Sequence, residues 1–343
     1  MVTEAEEANQ FAESIEPPVA ATFWDSTWSL RSLWLGLGVL FMYKVMSLGS
    51  ADWLVQKNAG WLVVLAGVLI HFFMFCFPFF TRQQTVENRF SRPPIKKIIK
   101  ELALAVPLVI GCFFMVILVQ AVLSMILPNP PDIPETYSRL ARSNGSTAIY
   151  LFMCMATFIG PVGEELFFRG FLFKALQTRL PFIIAVLGQA IIFGFVHSYG
   201  VVNASIAALL GVVLNLIYIW RKTLLTPVFV HMGYNGISML SILLMMYSSA
   251  QAPVLGVVGD RPDKECVVVD IVPGSPADHA GILPGDKITG LGVFSVETFK
   301  HLTDGVAWYR AGETIEIVLE RDGERLELQV ELATRSSLAK PSE

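Results

Sequence analysis

Apolar runs long enough to cross a lipid bilayer recur through the first 250 residues of this chain. A run of roughly 18 to 20 such residues commits its backbone to a helix, because hydrocarbon offers the peptide groups no outside partner. The cleanest run is 59–80, interrupted only by His71, which reads as a satisfied or cavity-facing side chain. The others lie at about 33–48, 102–127, 148–179, 182–196, 203–220 and 225–247. Lys44, inside the first, is expected to snorkel to an interface. Pro107 falls within the third, where membrane helices tolerate it.

Composition agrees. Of 343 residues, 54% are hydrophobic and 16% charged, against about a quarter charged in an average soluble domain. An ordinary cytosolic enzyme is excluded. Charge is also segregated: residues 1–28 hold six acids and no base, 29–258 hold 16 bases against 7 acids, and 259–333 hold 7 bases against 15 acids. A basic membrane body is therefore flanked by acidic ends. The cysteines, Cys76, Cys112, Cys154 and Cys266, are far apart, and no structural disulfide or cysteine metal site is expected. The acidic N-terminus lacks a secretory-signal pattern, so the first span is expected to stay in the mature protein.

After Tyr247 the pattern changes. Residues 249–253 read as a linker, and short β patterns follow at 255–258, 266–272, 314–320 and 325–332, the last two flanking the hairpin signal Asp322-Gly323. The fold class is thus a polytopic all-α membrane protein of about seven transmembrane helices, then a small soluble α+β domain at 254–334. An acidic tail, 1–28, precedes the membrane domain, 29–248, and a short tail, 335–343, ends the chain.

Two acids lie deep in apolar sequence, side by side, at Glu164 and Glu165. A carboxylate at the centre of a span costs about 2.5–3.5 kcal/mol, so a pair needs a reason. Arg169, four residues on, can pair with Glu165 on one helix face. Glu164 is left over. If Pro181 tips a helical hairpin, Glu164 lies 17 residues before it and His197 16 after it, which puts both roughly 25 Å from the tip. His231 and Asn235 share one face of the last span. Glu, His, His and Asn inside lipid can activate water and stabilise an oxyanion, or bind a divalent metal.

Glu164-Glu165-x-x-x-Arg169, Phe193-x-x-x-His197 and His231-x-x-x-Asn235, in this order on successive apolar helices, resemble the three motifs of the CPBP intramembrane protease family, which includes CAAX prenyl endopeptidases and bacteriocin-processing enzymes. The resemblance covers about residues 100–247. It implies Glu164 as general base, His197 as its partner in polarising water, and His231 and Asn235 as oxyanion donors. Glu165 and Arg169 would hold the helix geometry. Alternatively Glu164, His197 and His231 would ligate a divalent metal ion such as zinc, the usual label for families of this kind. None of the five histidines begins a His-Glu-x-x-His motif, and the spans show no rhomboid or aspartyl-type signature.

The segment from Val267 to Ile288, with Pro273-Gly274-Ser275-Pro276-Ala277 and Leu283-Pro284-Gly285-Asp286, is similar to PDZ domains of bacterial envelope proteases. That likeness makes Leu255, Gly256 and Val257 the loop that takes a peptide C-terminus, with the helix at about 296–306 as the other wall. The expected partners are the lipid bilayer, a protein or peptide substrate and a peptide ligand of the PDZ-like domain. Its acidity argues against nucleic acid. The alternative function is a catalytically inactive membrane scaffold that recruits partners through the PDZ-like domain. A transporter is disfavoured by the lack of an internal repeat. The basic stretch 82–100 is expected in the cytoplasm, which places the PDZ-like domain outside the cytoplasmic membrane.

Overall fold

In the computed structural model, the described residues are 27–56, 60–83, 93–126, 150–197 and 201–338. Most of the acidic tail, the centre of the basic loop and the loop at 128–134 lie outside them. Seven apolar helices form the first part: α1 (Leu30–Gln56), α2 (Gly60–Thr81), α3 (Ile95–Ile126), α4 (Tyr150–Gln177), α5 (Phe182–Val196), α6 (Val201–Arg221) and α7 (Leu225–Gln251). Four of the described helices, α3, α4, α6 and α7, are long and apolar enough to cross a membrane, while α5 and the described apolar part of α2 are shorter. Two-residue strands β1 (Thr27–Trp28) and β2 (Arg82–Gln83) pair at the ends of α1 and α2.

Contacts divide the chain into two units at Leu240/Ser241. The core of the first is aromatic: Phe77, Phe167, Phe168, Phe171 and Phe193 are buried with Trp28, mostly in tilted or edge-to-face pairs such as Phe167–Phe171 at 5.2 Å. A second cluster joins Val109 of α3, Leu214 of α6 and Val230 of α7. Large apolar side chains such as Phe114, Leu118 and Ile183 stay exposed, as a surface solvated by acyl chains requires.

Three expectations change here. Lys44 is buried, 5% exposed, instead of reaching out to an interface. A third acid, Glu101, is buried within α3, where both oxygens meet Arg221 of α6 at 2.7 and 3.0 Å and Thr226 of α7 donates at 2.5 Å. It escaped notice because its partners are more than 100 residues away. Finally, the supposed linker 249–253 is mostly the last turn of α7, which runs to Gln251 before β3 (Pro253–Val254).

The strand-rich part of the second unit holds β4 (Val257–Gly259), β5 (Val268–Ile271), α8 (Pro276–His279), β6 (Lys287–Leu291), β7 (Phe294–Ser295), α9 (Phe299–Val306), β8 (Thr314–Arg321), β9 (Glu324–Glu331), β10 (Ala333–Thr334) and α10 (Arg335–Leu338). Four strands form an antiparallel sheet in the order β7-β6-β8-β9, while β4 pairs with β5 and β3 with β10. The β8–β9 turn is Asp322-Gly323 with φ of 53° and 83°, the left-handed pair that a two-residue hairpin demands. Ser275 and Thr298 cap α8 and α9 by accepting from Asp278 and His301 amides, so the second helix starts at Phe299, later than its apolar pattern suggests. Ile288, Leu291, Ile317, Leu319 and Leu302 fill the core.

Candidate active site

α4 is too long for a plain span, and it absorbs the excess by widening. The six-residue α segment Gly160–Glu165 lies between two π-helical segments, Met155–Ile159 and Leu166–Phe173. Pro161 has no N–H to give a regular ladder, and the Gly160 amide bonds back to the Met155 carbonyl, five residues away. Such wide turns collect at functional sites. Here they bracket the paired glutamates.

Glu164 is 5% exposed, yet its carboxylate faces imidazoles from three other helices. Oε2 lies 3.2 Å from His197 Nε2 at the end of α5 and 3.6 Å from His231 Nε2 of α7. Oε1 lies 2.8 Å from His71 Nε2 of α2. His71 is the residue missed in the sequence: a lone histidine in an apolar run carries no spacing signal to a partner 93 positions away. Its Nδ1 meets the Gly67 carbonyl at 2.6 Å, and that of His197 meets the Phe193 carbonyl at 2.8 Å. A carbonyl only accepts, so both rings carry their Nδ1 proton and turn Nε2 towards Glu164.

Behind this carboxylate sits a second. Glu165 Oε1 accepts from Arg169 Nη1 at 2.9 Å and from His231 Nδ1 at 2.9 Å, with Glu165 and Arg169 fully enclosed. Arg169 also donates to the Gly211 carbonyl of α6 at 3.0 Å and lies over the Phe193 ring. Phe193 in turn stacks on His197 at 4.2 Å between centroids. One aromatic ring thus supports the imidazole on one side and the guanidinium on the other. Asn235, one turn beyond His231, donates to the Ala156 carbonyl at 2.9 Å, which leaves the second N–H of its amide for another acceptor.

The α5–α6 hairpin brings His197 in through small residues. A Cβ on Gly194 would lie 2.4 Å from the Ala204 carbonyl and 2.7 Å from the Ala208 Cβ, so the helices touch backbone to side chain, as small-residue membrane interfaces do.

Among the described residues no group of three or more His, Cys, Asp or Glu is spaced to hold a metal ion. Glu164 Oε1 meets His71 at direct hydrogen-bonding distance, shorter than the roughly 3.3 Å separating tetrahedral ligands placed about 2.0 Å from zinc. In this arrangement the ligand set Glu164, His197 and His231 does not form a metal cage, and no chemical step below is routed through an ion.

In the second unit, Leu255 is buried and Gly256 adopts φ +88°, with Ser275 Cβ 2.2 Å from where a Cβ would stand. Only glycine fits that turn. The Leu255 and Gly256 carbonyls accept from the Ala277 and Val272 amides, both at 2.9 Å, which ties the loop to α8 and its approach. The Phe299 ring of α9 lies 2.4 Å from a Cβ position on Gly259, so helix and strand meet closely at that end of β4.

Fold and site together define a multi-pass membrane protein in which a CAAX-protease-like segment is joined to a PDZ domain. Residues 146–237 match the family described as type II CAAX prenyl endopeptidase Rce1-like, and residues 253–332 match the PDZ domain family. Among curated proteins, the membrane-embedded CAAX protease MroQ of Staphylococcus aureus (strain USA300) is 33% identical over 103 residues, 28% of this chain and 41% of that protein. YdiL of Bacillus subtilis (strain 168) is 30% identical over 88 residues, 26% and 36% of the two chains. The alignments span less than half the length of these relatives. A solved structure of the HtrA-type protease AlgW with a decapeptide aligns over 29% of this chain and 33% of its own, at 27% identity and a TM-score of 0.24.

Proposed function

We propose that the chain is an intramembrane endopeptidase that hydrolyses a peptide bond of a membrane-associated or lipidated protein or peptide, with the PDZ domain binding substrate or a partner peptide at Leu255, Gly256 and Val257. The observation that carries this function is Glu164, a carboxylate enclosed among apolar helices with three imidazole Nε2 atoms gathered on its two oxygens. A structural ion pair accounts for Glu165 and Arg169 and leaves Glu164 without such a duty.

In the proposed reaction a water beside Oε2 and His197 gives a proton to Glu164 as its oxygen bonds the scissile carbonyl carbon. The developing oxyanion takes hydrogen bonds from the free N–H of Asn235 and from His231 Nε2. Glu165, accepting from His231 Nδ1, stabilises the imidazolium that such a donor requires. Collapse of the tetrahedral intermediate breaks the C–N bond, and the proton on Glu164 passes to the leaving amine. The basic stretches at 82–100, Lys174/Arg179 and Arg221/Lys222 support one cytoplasmic face and hence a PDZ domain on the opposite side.

The test is cleavage of a diverse peptide library by the purified, detergent-solubilised full chain. Glu164→Ala and His197→Ala are each expected to lower turnover by about 10²-fold or more, and a chelator to leave it unchanged. Loss with chelator and recovery with zinc would reinstate the metal ion. A folded wild type that cleaves nothing, or variants as active as wild type, would favour the scaffold instead.

A further inference from the structure

We infer that His71 is a positioning residue that fixes the Glu164 carboxylate, holding Oε1 so that Oε2 alone is presented to His197 and to the attacking water. This role rests on Glu164 being the base, and it adds a fourth helix, α2, to the three that carry the motif residues.

The placement is built from several directions. His71 Nδ1 is anchored on the Gly67 carbonyl at 2.6 Å, which sets the ring plane. Nε2 then points at Glu164 Oε1, 2.8 Å away. α4 has no side chains where α2 crosses it. A Cβ on Gly160 would stand 3.1 Å from His71 Nε2, and one on Gly163 only 2.7 Å from the His71 carbonyl oxygen. Two glycines, one and four residues before Glu164, therefore open the space that the imidazole and its backbone enter. A core histidine that needed only satisfaction would be served by the Gly67 carbonyl and a water. This one is brought against the one carboxylate that the Arg169 ion pair leaves unengaged.

The division of the two oxygens follows. With the Nδ1 proton committed to a carbonyl, the Nε2–Oε1 contact must contain one further proton, on nitrogen or on oxygen, and either arrangement ties that oxygen down. The carboxylate can no longer rotate its two oxygens past one another. Oε2, 3.2 Å from His197, is left as the oxygen that can accept a proton from water. Misplacement of a reacting group by about 1 Å costs roughly 10²-fold in rate, so the loss should appear in kcat with KM unchanged.

Two variants separate positioning from packing. His71→Met keeps a similar volume and removes the donor, and is expected to lower kcat about 10- to 100-fold with KM within about twofold. His71→Gln keeps an N–H at the Nε2 position and is expected to restore kcat to within about threefold of wild type. Both should melt within a few degrees of wild type. Independently of turnover, the His71 Nε2 resonance of 15N-imidazole-labelled full chain in detergent micelles, assigned by its loss in His71→Gln, should move in Glu164→Gln. A resonance unmoved by Glu164→Gln, or a kcat for His71→Met within threefold of wild type, overturns the inference. Full activity of Glu164→Ala would instead overturn the base itself, while the resonance still decides the contact.

Discussion

Glu165 and Arg169 are both fully enclosed, and Arg169 spends one guanidinium nitrogen on Glu165 and another on the Gly211 carbonyl. Among the described residues, Glu165 Oε2 and Arg169 Nε have no protein partner, so neither charge can lose the other cheaply. Breaking a buried pair by removing one member costs about 3–5 kcal/mol. Arg169→Met is accordingly expected to lower the thermal midpoint of the membrane unit in detergent, and the double change with Glu165→Gln to recover part of the loss. An unchanged midpoint for Arg169→Met would mean that the pair does not hold α4. This pair is legible in sequence, because four residues on a helix is a local rule. His71 and Lys44 are not. A polar residue in an apolar run looks the same whether it meets a partner across the bundle or turns outward, and only the helix crossings decide.

At the scale of elements, the glycines set distances. Gly194 already touches the Ala204 carbonyl at the position of a Cβ, while nothing lies within 4 Å of the corresponding position on Gly111. Gly194→Val is therefore expected to push α5 from α6, lower the thermal midpoint and remove cleavage by displacing His197, whereas Gly111→Ala should be near neutral in both. Equal effects of the two would show that helix separation does not place His197. The hairpin about Pro181 is readable from counting alone: 17 and 16 residues at equal rise put Glu164 and His197 at one depth, where they stand 3.2 Å apart. The π segments of α4 are not readable in that way. Their sequence, Leu166 to Phe173, has an ordinary helical apolar pattern, and the wide turn arises from packing a buried Arg169 beside four phenylalanines.

Over the whole molecule, the acidic C-terminal unit has its own core and its own pH response. Burial works against ionising Asp286, but hydrogen bonds from Arg321 and the Leu283 amide outweigh it and hold the carboxyl below its usual range. An acid that ionises more readily folded than unfolded lends stability at neutral pH, which fades as the pH falls from about 3.9 through the lower native value. The PDZ domain of the full chain should thus lose stability on acidification below about pH 4, and Asp286→Asn should flatten that dependence. An unchanged acid profile in Asp286→Asn would remove Asp286 as its cause. The change from membrane helices to a strand-rich domain is plain in composition, because solvent sets it, whereas the run of α7 to Gln251 is hidden by the serines of its last turns. The wide turns of α4 also have a consequence for the chain's length. A π turn holds one residue more than an α turn, so deleting one residue between Leu166 and Phe173 would restore regular pitch and rotate everything beyond by about 100° relative to Glu164. His197 and His231 both lie downstream of that point. This stretch can therefore drift in the identity of its side chains but not in their number.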